Sequence, residues 1–325
     1  MNNKLIATSL FILSILICSC GGKKKVDLSL RNKILLDSLT EKYKEKRSFV
    51  FSDGSLVYAD KGRTSVIDTL NLATILFNDS AIFVEGDDSL MVQVYSVEYV
   101  KNGKVNKGIM DNKDVAIQYI MSKKDSNLLF MANYVPLKDE MRVILKSIRN
   151  NQLETEIPLD TAYMIGFEME MYFTDSIKLA NTQELFYLHT YYPACGYVST
   201  HYYLDYVNKK FQILLCEVSF ADAPYYNAPK IYFPTPLNSK NILYTLWGNE
   251  IQWDTLGKPI SYTIGENIKV PLNELIYIEY WNNSDSTING KTIMDEFDEP
   301  ALFDVCYEKK LFRWTGKKLE AISLK

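Results

Sequence analysis

From Phe49 onward the chain is written in short runs rich in Val, Ile, Tyr and Phe. Turn-forming clusters such as Ser52-Asp53-Gly54, Gly86-Asp87-Asp88 and Asn102-Gly103 separate them. β-Branched and aromatic side chains suit a pleated, half-buried surface, and Asn-Gly supplies the two positive-φ residues of the tightest hairpin turn. The cadence predicts a mainly β fold. Two stretches read differently. Leu28, Leu35, Leu36, Leu39 and Tyr43 recur at roughly helical spacing between Lys and Glu, predicting one helix near 28–46. Lys138 to Arg149 suits a helix or a strand equally. The 23 tyrosines agree with a strand-rich chain, whereas only 2 histidines and 14 glycines weigh against metal hydrolases and glycine-loop nucleotide enzymes.

The N-terminus carries an address. Met1-Asn2-Asn3-Lys4 is a short basic segment, and Leu5 to Ile17 is an uncharged, mostly apolar run of thirteen residues. Such a run is short for a permanent span and suits a removable signal. Ile17-Cys18-Ser19-Cys20 resembles the lipobox of bacterial lipoproteins, with an aliphatic residue at −3, a small residue at −1 and then the modified cysteine. The resemblance implies removal of residues 1–19, a mature chain of 306 residues and a lipidated Cys20 that anchors it to a membrane. An ordinary secretory signal with two incidental cysteines is the alternative. Gly21 follows Cys20 where Asp would imply inner-membrane retention, and Lys23, Lys24 and Lys25 form no acidic export tag. The expected location is the outer membrane, facing the periplasm.

Charge is divided unevenly. Residues 21–47 hold nine basic and four acidic side chains, a balance of +5, whereas residues 48–325 hold 26 and 36, a balance of −10. The acidic body argues against nucleic acid as a partner, because no basic stripe persists beyond the tether. Residues 20–47 thus read as a lipidated tether and short helix, either drawn to anionic headgroups or simply solvated.

Two β domains are expected beyond it. In residues 48–120, Arg63-Thr64-Ser65-Val66-Ile67-Asp68-Thr69-Leu70 resembles the opening strand and turn of bacterial SH3-like domains. Met91 to Tyr99, the hairpin signal Asn102-Gly103 and a return from Gly108-Ile109-Met110 toward Val115-Ala116 extend the likeness, although typical members carry Gly-Trp-Val at the return. The resemblance implies a small barrel, a fold that by itself specifies no function. Residues 125–325 repeat one hairpin style at Tyr203 to Phe211 and Leu311 to Leu319, with a looser copy in Ser147 to Ile157 turning at Asn150-Asn151. This resembles the blades of propeller-like lipoprotein domains, about four or five at 40–45 residues each, and fits a sandwich equally well.

Chemistry-bearing residues are few. Beyond the signal remain Cys195, Cys216 and Cys306. A hairpin over Asn208-Lys209 places Cys216 opposite about His201, near the loop holding Cys195. A Cys195–Cys216 disulfide is then reasonable, with three buried thiols as the alternative and Cys306 expected in the core. His189, Cys195 and His201 stand six and six residues apart, unlike the tight pairs of structural zinc sites, and no acidic orienter stands at a diagnostic offset. Asp285, Thr287 and Asn289, with Gly290 and then Glu296, partly match a calcium loop. Thr287 and Lys291 depart from that pattern, and an Asx-rich hairpin turn competes with it.

Tyr192, Tyr197 and Tyr202 around Cys195, and Tyr225 and Tyr226 in a proline-containing loop, are candidates for binding a glycan or a protein. Strand aromatics also serve as core. Neither Gly-x-Ser-x-Gly, Ser-x-x-Lys, His-Glu-x-x-His nor a P-loop occurs. The expectation is a noncatalytic, lipid-anchored binding module for an envelope protein, peptidoglycan or another glycan, needing no cofactor unless calcium. A cell-envelope hydrolase using an unmarked pair among the 40 carboxylates is the alternative.

Overall fold

A computed structural model describes residues 27–44, 46–85, 91–137, 140–159, 168–175, 177, 179–191, 197–222, 225–233, 251–253, 255, 259–264, 268–271, 274–285, 287–288, 291–292, 294 and 302–322. The signal, the lipobox and Cys20 lie outside the described residues.

One α-helix, α1 (Leu28–Tyr43), opens the described chain. Asp27 caps it, its Oδ1 accepting from the amides of Ser29 at 2.9 Å and Leu30 at 3.3 Å. It stops before the expected residue 46 because Lys44 turns to φ 42°, its N–H bonding back to Thr40 O. Leu39 is buried against the sheet, and Tyr43 packs its ring 5.9 Å from that of Phe77.

That sheet contains β1 (Arg47–Phe49), β2 (Ser55–Tyr58), β3 (Val66–Leu70), β4 (Ile75–Glu85), β5 (Met91–Lys101) and β6 (Lys104–Asp111), in the antiparallel order β1-β4-β5-β6-β2-β3. The β5–β6 turn is Asn102-Gly103, with φ of 54° and 72°. Both residues are left-handed, as a two-residue turn matching the strand twist requires.

The second sheet holds β7 (Gln118–Met121), β8 (Leu128–Leu137), β9 (Glu140–Arg149) and β10 (Gln152–Leu159), in the order β10-β9-β8-β7. The ambiguous stretch up to Arg149 is therefore strand. Alternation decides it: Val143 and Leu145 enter one buried cluster, and Ile144 and Ile148 another. Leu128 through Tyr134 are buried without interruption, the pattern of a strand covered on both faces. Leu129, Met131, Ile144 and Ile148 face Phe49, Phe51, Ala73 and Ala116. Asn133, fully buried, donates Nδ2 to the carbonyls of Asn112 (2.8 Å) and Val115 (2.9 Å), tying the second sheet to the connection between β6 and β7.

The other face of the second sheet covers part of a third. β11 (Glu168–Phe173), β12 (Leu185–Tyr191), β13 (Tyr197–Val207), β14 (Lys210–Asp222) and β15 (Tyr225–Tyr232) continue through β19 (Leu275–Asp285) to β22 (Leu302–Trp314) and β23 (Leu319–Ile322). Between them, β16 (Ile251–Trp253), β17 (Pro259–Ile264) and β18 (Ile268–Pro271) form a small sheet. A ribbon pairs β20 (Thr287–Ile288) with β21 (Lys291–Thr292).

Leu128, Phe130, Val143 and Leu145 meet Met169, Met171, Phe186, Leu188, Tyr202 and Leu204 face to face, with the rings of Phe130 and Phe186 stacked at 5.2 Å. A further core joins Leu185, Leu214 and Leu215 to Ile276, Ile278 and Trp314, linking both halves of the eight-stranded sheet. The chain is mainly β, with antiparallel sheets throughout. Among the described residues no helix is long and apolar enough to cross a membrane.

Candidate functional site

Strands alternate their side chains, so burying Phe186, Leu188, Tyr202 and Leu204 on one face of β12 and β13 presents the residues between them on the other. The register aligns these into three rows across β11–β14. The first is Tyr172, Tyr187, Tyr203 and Leu215; the second is Glu170, His189, His201 and Glu217; the third is Glu168, Tyr191, Ser199 and Ser219. The two histidines of the chain are thus direct cross-strand neighbours. Their rings stack at 4.6 Å with 7° between planes, and Tyr191 continues the stack at 5.0 Å from His189. Tyr187 lies 5.0 Å from Tyr172 and 5.1 Å from Tyr203, ring centre to ring centre. Tyr172 is half exposed, whereas Tyr187 is buried.

Both nitrogens of His201 are engaged: Nδ1 meets Tyr187 Oη at 2.5 Å, and Nε2 meets Ser219 Oγ at 2.9 Å. Burial holds the Tyr187 phenol protonated far above its ordinary range, so it serves as the donor. The neutral tautomer satisfying both contacts carries its proton on Nε2 and gives it to Ser219. Burial, and then the charge of neighbouring His189, push His201 down to about 4. Burial lowers His189 too, against the opposing pull of Glu170, and its Nε2 is buried without a hydrogen-bond partner among the described residues. Glu217 is pushed up by burial, although Tyr280 donates to it at 2.9 Å. Tyr191 hydrogen-bonds Glu168.

Ser219, His201 and Tyr187 have the outline of a nucleophile, a base and an orienter. The chemistry opposes that use. A donating phenol leaves the proton on the nitrogen that should accept from serine, and an imidazole near 4 is a weak base at neutral pH. Glu170 and Glu217 stand three strand spacings apart, roughly 14 Å, too far for a glycosidase pair. What remains is an aromatic and imidazole sheet face, buried at Tyr187 and Leu215, exposed at Tyr172, and edged by carboxylates.

A second polar cluster lies on β15 and β19. Glu279, buried, accepts from Tyr277 Oη at 2.8 Å, Trp281 Nε1 at 3.0 Å and Tyr232 Oη at 3.2 Å, while Lys230 sits over the Trp281 ring at 4.1 Å. Three donors converge on this carboxylate, so it fixes the aromatic rings around it.

The residues singled out in the sequence divide as follows. Tyr202 is not surface: at 1% exposure it is core between the second and third sheets, because its strand turns it away from His201 and Tyr203. Tyr192 and Cys195 lie outside the described residues, so the Cys195–Cys216 pairing does as well. Tyr197 begins β13 opposite Ala221, and Tyr225 pairs with Asp222. Tyr226 is half-buried, its amide donating to Asn283 Oδ1 at 2.7 Å and its phenol raised by a hydrogen bond to Asp304. Cys216 is exposed and stands opposite Tyr202, one residue from the expected partner His201. A bulge inserts Leu214 between Leu215 and Ile213, and that extra residue shifts the register. Cys306 is half-exposed rather than core, its Sγ 3.6 Å from Glu308 O.

Asp285 ends β19, and Thr287 pairs with Thr292 in the ribbon. Asn289 and Glu296 lie outside the described residues. Among the described residues no three His, Cys, Asp or Glu side chains are grouped to hold a metal ion. No protein-family model matches the chain, and no curated protein matches it.

Proposed function

We propose that the chain is a lipid-anchored binding protein of the bacterial outer membrane, facing the periplasm, that presents the aromatic and histidine face of β11–β14 to an envelope partner. The anchor reading rests on Ile17-Cys18-Ser19-Cys20. The binding reading is carried by one observation: three aligned cross-strand rows place Tyr172, Tyr191, His189 and Glu170 on a single sheet face. Aromatic faces bordered by carboxylates suit the apolar faces and hydroxyls of peptidoglycan-type glycans, and equally the side chains of a protein. In this reading the first sheet is an SH3-like module beside the tether, and the row Tyr197, Ala221 and Tyr226 continues the same sheet face, whereas the register puts Tyr225 on the opposite one. The test is co-sedimentation of the mature protein with purified peptidoglycan and affinity capture with envelope extracts at micromolar concentration. Binding lost on Tyr172→Ala and His189→Ala supports the proposal; binding to neither material ends it.

A second reading, an envelope hydrolase, has the 2.9 Å contact between Ser219 and His201 in its favour. Labelling by an active-serine fluorophosphonate, abolished in Ser219→Ala, would select it over the binding module.

A further inference from the structure

We infer that the outward side of the first two turns of α1 docks on an anionic lipid surface, with Leu30 and Ile34 entering the interfacial layer and Arg31 and Lys33 at headgroup level. This rests on the proposed lipid anchor at Cys20. Leu30 and Ile34 stand four residues apart on one side of the helix, 56% and 51% exposed. The opposite side is committed to the first sheet: Leu39 is buried there, Asn32 Oδ1 accepts from the Gly103 amide at 2.8 Å, and Lys42 reaches Glu98 at 3.3 Å.

Charge grades along the helix, with Lys33 on the exposed side of the first half, Arg31 exposed at its flank beside Gly103, and Asp37 and Glu41 in the second half. That gradient favours a helix tipped N-terminus down toward phosphates. Chain length sets the reach. Six residues separate Cys20 from Asp27, so even a fully extended tether keeps the helix start within about 25 Å of the acylated cysteine. Lys23, Lys24 and Lys25 fall inside that interval. A symmetric second copy that packs Leu30 against Ile34 is the poorer occupant, since its two-fold axis would set Arg31 against the other copy's Lys33.

The test uses the mature chain, residues 20–325, carrying Cys20→Ser and therefore without acyl chains. It is sedimented with vesicles of phosphatidylethanolamine mixed with phosphatidylglycerol, and with vesicles of phosphatidylcholine alone. The expected result is binding to the anionic vesicles, weaker by about tenfold on phosphatidylcholine and weaker by about tenfold again for Leu30→Asp with Ile34→Asp. Unchanged circular dichroism and melting of the double variant show that it is folded. Failure of the Cys20→Ser chain to bind anionic vesicles overturns the inference, as does a double variant that binds undiminished. A dimer in sedimentation velocity that the double variant dissolves also overturns it, in favour of a second copy. Labelling of the wild type with a fatty-acid precursor is read separately: its absence refutes the anchor, while the vesicle result still reports on the helix.

Discussion

Gly108 stands where β6 pairs with β2, and space rather than backbone conformation excludes a side chain there. A methyl would come to 2.2 Å from Val57 Cγ1 and 3.0 Å from Tyr58 O. Gly108→Ala is expected to destabilise the protein by about 1–3 kcal/mol, seen as a lower urea midpoint at unchanged slope. His201 makes the stability depend on pH. Its folded value of about 4 lies below the unfolded 6.5, so as pH falls below 6.5 the unfolded chain gains a proton that the folded chain refuses. Stability attributable to this residue falls through that window and levels near 4, by up to roughly 3 kcal/mol. Glu217 and Asp205, both raised by burial, act in the opposite sense, the fold gaining as they protonate. The clean measurement is therefore a difference: the loss of unfolding free energy between neutral pH and about pH 4.5 should be smaller in His201→Phe than in the parent. The sequence shows both histidines but not their contact, since eleven residues and a chain reversal separate them. Tyr202 and Tyr203 likewise read alike in sequence, and only the pleat sends one inward.

At the scale of elements, local signals were readable where the backbone itself makes the demand. Asn102-Gly103, Asn150-Asn151 and Asn208-Lys209 each place two consecutive residues at positive φ, and each closes a hairpin. The helix was also visible, because its spacing is local, whereas its Asp27 cap emerged only in the structure. Asp27→Ala should cost about 1 kcal/mol and fray its first turn. What holds α1 in place was not visible. Glu98 is buried on β5; burial acts to raise its carboxyl, but hydrogen bonds from Lys107, Tyr43 and Lys42 outweigh it and keep the group below its ordinary range. Lys42 and Lys107 are largely exposed, so the pairing is worth little as Coulomb energy and more as positioning. Glu98→Gln is expected to speed amide exchange across residues 28–43 while leaving β8 and β9 protected, a contrast that hydrogen exchange reads directly. The stretch ending at Arg149 stayed ambiguous because burial on both faces erases the alternation that marks a strand.

For the whole molecule, the second sheet is the common wall. Its one face is core with the first sheet and its other face core with the third, so neither neighbour can separate without exposing it. The described sheets are expected to melt together, as a single calorimetric transition with equal calorimetric and van't Hoff enthalpies. Phe130→Ala, at the stacked contact with Phe186, should lower stability by about 3–5 kcal/mol. A fragment restricted to residues 125–325 would leave Leu129, Met131, Ile144 and Ile148 uncovered and should bind a hydrophobic dye where the mature chain does not. The sequence by itself determined the strand-rich class, the tight turns and the helix, because these obey rules acting over a few residues. Only the tertiary structure decided which tyrosines face outward, where the bulge at Leu214 sets the register, and that His189 and His201 become neighbours. Those outcomes depend on pairing between strands distant in the chain and on which sheet face finds a partner to bury it.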